Sequence, residues 1–227
     1  MRVRVKVCGI TSLEDGLMAV EAGADAIGLV FWPRSPRAVD AVAARRISAA
    51  LPPFVTRVGV FVDAAPDVLA RTAEAVPLDL LQLHGDEAPE QCAALPRRVL
   101  KAVRVGPGFR SEDALRYEGR VAGLLLDARS DAAPGGTGET FDWSLARGVR
   151  EGASFLVLAG GLKAENVGAA ILEVRPDAVD VSSGVESSPG RKDHDRLRAF
   201  VAAVRAAETS AESAAARGGD QAGGILE

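Results

Sequence analysis

The 227-residue sequence is poor in the residues that build metal centres, disulfides and aromatic cores: two cysteines, two histidines, two tryptophans and one tyrosine. Cys8 and Cys92 lie too far apart in sequence to form a metal-ligand pattern. With His84 and His194 the only imidazoles, no zinc or iron centre is expected. A basic excess is also missing. The formal net charge is −4, which argues against nucleic acid as a partner, because phosphate backbones are gripped by basic surfaces. No apolar run approaches the length of a membrane span. The first residues carry charge rather than an apolar stretch, so no secretory signal is expected. Two thiols without an export signal suit a reducing cytoplasm. Aromatics make up only 4% of a chain that is 48% hydrophobic, so the core must be built from Ala, Val and Leu.

What is present is an alternation. Apolar, β-branched runs at about 4–8, 25–31, 56–62, 79–84, 98–105, 122–127, 155–159 and 177–182 are separated by alanine-rich helical patterns. The helices are expected to begin near Ser12, Asp40, Ala65, Ala88, Ser111, Asp142, Lys163 and Lys192. Runs such as Ala26-Ile27-Gly28-Leu29-Val30-Phe31 and Gly123-Leu124-Leu125-Leu126 read as strands buried on both faces, the mark of a parallel sheet covered by helices. An Asp stands just before three strands, at Asp25, Asp79 and Asp177, which suggests equivalent helix-to-strand loops. Eight such units can close into a barrel or stay open as a doubly wound sheet. Gly106-Pro107-Gly108 gives half a dinucleotide fingerprint, with Ser111 where its last glycine belongs, so a plain turn is the better reading. Closure is favoured: a single parallel eight-stranded (β/α)₈ barrel, of the TIM type, over residues 1–208. From Thr209 to Glu227 the chain is Ala, Gly, Ser and charge, and a disordered tail is expected.

In such barrels the strand ends carry the chemistry. Cys8 ends the first strand, in Val5-Lys6-Val7-Cys8-Gly9-Ile10-Thr11. A free cysteine is commonly a buried small hydrophobe. Here, alternation turns Lys6 and Cys8 into the barrel and Val5 and Val7 toward the helices. A lysine roughly 7 Å away on the same face should favour the thiolate. Asp127 follows three leucines at the end of strand 6, either turning the chain or placed at the mouth to donate a proton. Arg34 and Arg37 stand in a loop stiffened by Pro33 and Pro36, suited to a carboxylate or phosphate. Ala159-Gly160-Gly161-Leu162 and Val181-Ser182-Ser183-Gly184-Val185-Glu186 follow strands 7 and 8, where barrels bind phosphate through backbone amides. His84 and Asp180 face inward and read as structural partners, with Asp180 the countercharge for a buried Lys6. Gly135-Gly136-Thr137-Gly138 reads as a loop over the site.

These motifs, with Leu81-Gln82-Leu83-His84-Gly85, Ser35-Pro36-Arg37 and Phe141-Asp142-Trp143, resemble those of the phosphoribosylanthranilate isomerases of tryptophan biosynthesis, collinearly from about residue 4 to 205. The resemblance implies an Amadori rearrangement of an aminoaldose to an aminoketose, with no cofactor. It implies Asp127 as general acid toward the ribose ring oxygen and Cys8 as general base at C2. Arg37 would hold the anthranilate carboxylate, and Gly160, Gly161, Ser182, Ser183 and Gly184 the phosphate. Lys6, His84 and Asp180 would support them. Glu139 departs from the pattern, since an acid is unhelpful beside an anionic substrate. The partner is then a phosphorylated small molecule, with no nucleic acid and no membrane, and the chain a monomer or homodimer. A histidine-pathway sugar isomerase would carry a carboxylate in place of Cys8. A non-catalytic barrel that binds a phosphorylated metabolite need not keep both Cys8 and Asp127.

Overall fold

A computed structural model describes residues 2–95, 97–128 and 140–220. Eight parallel strands, β1 Arg4–Cys8, β2 Ala26–Val30, β3 Thr56–Phe61, β4 Leu80–Leu83, β5 Val99–Val105, β6 Gly123–Ala128, β7 Leu156–Leu158 and β8 Ala178–Val181, close into a barrel. Closure runs through β1 and β8, with Arg4 opposite Ala178 and Lys6 opposite Asp180. The intervening helices are α1 Leu13–Ala22, α2 Ala41–Ala50, α3 Pro66–Ala75, α4 Pro89–Ala93, α5 Ser111–Leu115, α6 Ser144–Gly152 and α7 Ala164–Val174, and α8 His194–Asp220 follows the last strand. The expected eight βα units are all there. Between β8 and α8 the chain adds a 3₁₀ turn, Ser183–Val185, and an antiparallel hairpin of β9 Glu186–Ser188 and β10 Arg191–Lys192, which the apolar pattern did not foretell.

Local chemistry sets the element ends. Ser12 caps α1 by accepting from the Asp15 amide, and Gly23 ends it at φ +106°, a left-handed conformation that glycine adopts without Cβ strain. Asp40 caps α2 in the same way as Ser12, through the Ala43 amide. The Asp repeat has a structural meaning. Asp25 accepts from the Val5 amide, Asp79 from the Arg57 amide and Asp177 from the Leu156 amide. Each carboxylate thus ties the foot of its own strand to the foot of an adjoining strand.

Two apolar layers follow from the alternation. Val5, Val7, Ile27, Leu29, Leu81, Leu124, Leu126 and Val179 face outward and pack with the helices in the main core. Leu100, Ala102, Leu125, Val157, Ala159 and Ala178 point inward and fill the barrel. Lys6, Gln82, His84, Asp127 and Asp180 form a buried polar set inside the barrel. Alpha-helical backbone continues through α8 to Asp220, past Thr209, the residue where composition alone ends the domain; Ala and Glu carry high helix propensity. From Glu208 to Ser213 no side chain is buried, and Ala207 is the last buried residue described in α8. Among the described residues no helix is long and apolar enough to cross a membrane.

Candidate active site

The cleft at the C-terminal ends of the strands is lined by Cys8, Trp32, Ser35, Arg37, Gln82, His84, Asp127, Asp180, Ser182 and Ser183, with the turn from Ala159 to Leu162. Strand pleating puts them there: in β1, Val5 and Val7 go to the helices, so Lys6 and Cys8 turn inward. Cys8 packs on Val30, Val60 and Trp32 at the β1–β3 side of the mouth. Gly28 on β2 has no side chain because Cys8 needs the space; a Cβ there would lie 2.8 Å from Sγ. Asp127 approaches from β6, so the thiol and the carboxyl share one cleft from separate parts of its wall.

Lys6 does not reach the thiol as a free cation. Its Nζ donates to Asp180 Oδ1 at 2.9 Å, with both side chains over 90% buried. Burial lowers the pKa of this lysine, but the attraction of Asp180 and Cys8 outweighs it and holds the group above its ordinary value. The expectation that Lys6 favours the thiolate is only half met. Burial pushes the Cys8 thiol up, Lys6 and Lys192 pull it down, and the Asp180 charge cancels part of that pull, so the net shift is upward. Asp180 is itself raised by burial against the pull of Lys6.

His84 Nε2 lies 3.2 Å from Asp127 Oδ2. The Gln82 amide nitrogen donates to His84 Nδ1 at 3.1 Å, which leaves the ring proton on Nε2, facing Asp127. The Nε2 approach is off the direction of a good hydrogen bond. Gln82 Oε1 and His84 Nε2 are accordingly buried polar atoms without an aligned partner, on residues that line the cleft. Such atoms are rare in folded proteins and point to a ligand that completes them.

On the other side, Gly160 and Gly161 adopt φ +83° and +59°, and a Cβ on Gly160 would sit 2.6 Å from the Ala128 amide nitrogen. Only glycine lets this turn sit against the end of β6. Gly184 is not part of the lining. A Cβ there would strike the Leu162 carbonyl, so its role is to press the loop after β8 onto the loop after β7. The turn from Ala159 to Leu162 and the pair Ser182 and Ser183 together form one wall of the cleft, mostly of small residues.

Comparison with known proteins agrees with this geometry. The family described as N-(5'-phosphoribosyl)anthranilate (PRA) isomerase matches residues 5–203. The chain belongs to the PRA isomerase family. It is 55% identical over 204 residues to N-(5'-phosphoribosyl)anthranilate isomerase of Pseudomonas fluorescens SBW25, covering 89% of this chain and 96% of that one. The phosphoribosyl anthranilate isomerase of Thermotoga maritima superposes with a TM-score of 0.85 at 49% identity, over 90% of this chain and all of that one. A solved complex of such an isomerase with reduced 1-(o-carboxyphenylamino)-1-deoxyribulose 5-phosphate superposes at 0.80 with 47% identity, again over 90% of this chain and all of the other.

Within this PRA isomerase fold, Arg37 lies across the turn after Cys8, where a Cβ on Gly9 would meet its Cδ at 2.5 Å. Its Nε and Nη2 are bonded to Glu186, at 2.9 and 2.7 Å. Arg37 stands out in the sequence, whereas Glu186 and Lys192 beside it do not. Gly190 at φ +81°, the turn of the hairpin, was the one local sign of that device. The Gly135–Gly138 loop and Glu139 lie outside the described residues.

Proposed function

We propose that this chain isomerises N-(5'-phosphoribosyl)anthranilate to 1-(o-carboxyphenylamino)-1-deoxyribulose 5-phosphate, the tryptophan-biosynthetic reaction of its family, with Asp127 as acid and Cys8 as base. Asp127 delivers a proton to the ribose ring oxygen. The amine lone pair moves into the C1–N bond as the C1–O bond breaks, giving an open-chain iminium ion. Cys8, as thiolate, removes the proton on C2, and the electrons of that C–H bond form the enolamine. Tautomerisation then gives the ketone. The wall of Gly160, Gly161, Ser182 and Ser183 holds the phosphate, and Arg37 the anthranilate carboxylate. The observation that carries this reading is the shared cleft: a buried thiol and a buried carboxyl line it together with the glycine turn after β7 and the serines after β8. Two buried, free thiols suit a cytoplasmic enzyme.

The test is turnover of the substrate, followed by loss of its anthranilate fluorescence. Cys8→Ser and Asp127→Asn should each cut turnover by about 10²- to 10⁴-fold, while the reduced product analogue still binds. Near-normal turnover in either variant refutes its role. Saturable binding without turnover in the unaltered protein would make it a metabolite-binding barrel instead.

For assembly, we propose a homodimer. Phe54, in the loop before β3, is 97% exposed. At the same end of the barrel a cavity of about 420 Å³ has an apolar floor that includes Leu100, Phe155 and Val157 and a rim that carries Arg4, Asp25 and Arg98. An aromatic ring from a second copy fits that chemistry, and the relative from Thermotoga maritima is described as dimeric. Sedimentation should give a dimer for the unaltered chain and a monomer for Phe54→Ala; a monomer at micromolar concentration in both refutes it.

A further inference from the structure

The hairpin after β8 brings a second charged cluster against the site. Lys192, on β10, has a side chain with no exposed surface. Its ammonium has three protons and three acceptors: the Cys8 carbonyl at 2.6 Å, Glu186 Oε1 at 2.9 Å and the Ser182 carbonyl at 3.3 Å. Glu186, on β9, is likewise buried. Its Oε1 receives Lys192 and Arg37 Nε, and its Oε2 receives Arg37 Nη2. The hairpin itself is pinned from behind: the Lys192 amide donates to Asp15 on α1, and Arg196 donates to the Glu186 carbonyl.

We propose that Lys192 and Glu186 are positioning residues for the isomerase reaction, holding the Cys8 end of β1, the Ser182 end of β8 and the Arg37 fork in one register. The proposal rests on the reading of Arg37 as the ligand of the anthranilate carboxylate and adds what aims it. A bidentate, side-on bond fixes a guanidinium in plane as well as in place, which a single hydrogen bond does not. Side-on engagement through Nε and Nη2 therefore sets the direction of the end-on edge of the fork. The same ammonium that holds Glu186 also holds the carbonyl of the residue that bears the base. The distance between base and carboxylate ligand is thus set by one lysine rather than by two independent loops. A staple for the fold alone would not need charge. Burying three ionised groups has a large desolvation penalty, and well-packed apolar residues would hold the same hairpin as firmly. Burial works to raise the Glu186 carboxyl, but the hydrogen bonds from Arg37 and the charge of Lys192 prevail and hold it below its ordinary value. Glu186 and Arg37 therefore stay ionised and oriented toward each other, whereas burial draws the Lys192 ammonium below its ordinary value against the pull of Glu186.

The experiment compares the unaltered enzyme, Glu186→Gln, Arg37→Ala and the double variant, with two probes: the reduced product analogue, which carries the carboxylate, and inorganic phosphate as a competitive inhibitor, which does not. Glu186→Gln should weaken the analogue about tenfold, within the usual coupling of contacting residues, and leave phosphate inhibition within about twofold. In the Arg37→Ala background it should add nothing. Wild-type analogue affinity in Glu186→Gln, an equal loss of phosphate inhibition, or losses that simply add in the double variant would each overturn the proposal. If Arg37→Ala itself binds the analogue normally, the assignment of Arg37 has failed, an outcome distinct from failure of Glu186→Gln alone. Lys192→Met supplies a second variant should Glu186→Gln fail to fold. It should weaken the analogue and also slow alkylation of Cys8 at fixed pH, since Lys6 and Arg37 then remain as the cations facing the thiol and Asp180 as the anion. Unchanged alkylation and unchanged analogue affinity in Lys192→Met would overturn it.

Discussion

The ionisation of Cys8 can be read directly, because alkylation by iodoacetamide follows the thiolate and not the thiol. The structure gives the sign. An unperturbed thiol would titrate at 9.0, and burial lifts Cys8 above that value. Two cations oppose the lift, Lys6 on the same strand and Lys192 on the hairpin, but the Asp180 charge, paired with Lys6 at 2.9 Å, cancels part of their pull. Below its pKa the thiolate fraction grows tenfold with each pH unit. The alkylation rate of Cys8 should therefore climb by about 100-fold from pH 7 to pH 9 without levelling, by the ordinary titration relation. Cys92 is also buried, so the rates must be resolved by peptide mass spectrometry or measured in Cys92→Ala. A plateau below pH 8 would show that the cations win over burial. That result would restore the simpler expectation from sequence spacing and refute the electrostatic balance derived from the structure. Protection by the reduced product analogue is expected at every pH, since Cys8 lines the cleft.

Two further perturbations probe other parts of the site. Gly160→Ala places a Cβ on a backbone at φ +83° and 2.6 Å from the Ala128 amide nitrogen. The left-handed conformation alone costs about 1–2 kcal/mol, so inhibition by inorganic phosphate should weaken measurably, and unchanged inhibition would remove this turn from the phosphate wall. Asp180→Asn leaves Lys6 buried beside Cys8 without its countercharge, a loss on the order of 3–5 kcal/mol. Thermal unfolding should shift down by on the order of 10 °C in a chain of this size; an unshifted midpoint would mean that Lys6 is not held by Asp180.

Much of the architecture was legible in the residues because each βα unit declares itself locally. Gly123-Leu124-Leu125-Leu126 reads as a strand covered on both faces, and it is one, with Leu124 and Leu126 turned to the helices and Leu125 into the barrel. Ser12 and Asp40 announce helices that begin at the next residue. The inward direction of Lys6 and Cys8 follows from the two-residue period and nothing else. The shortness of α4 and α5, five residues each, has a mark in the sequence that the periodicity alone does not show: Pro96 three residues past α4 and Gly119 four residues past α5.

The partners of the charges were the part that local pattern could not reach. Arg37 and Glu186 are 149 residues apart, in the loop after β2 and the hairpin after β8, and they meet only because barrel closure brings β8 beside β1. Pro33 and Pro36 support reading Arg37 as a cation presented to an anion. That reading could not foresee that two of the guanidinium nitrogens would be bonded within the protein. The thiol shows the same limit from the opposite side. Spacing identifies the nearest cation, Lys6, but the sign of the Cys8 shift depends on burial and on Asp180, a residue 172 positions further along the chain. In this closed barrel the groups at the strand ends are placed by local rules, whereas their ionisation and aim are set by neighbours that only the topology supplies. The Cys8 alkylation profile and the Arg37–Glu186 cycle therefore bear on the structure in a way that loss of activity on removing Cys8 or Asp127 does not.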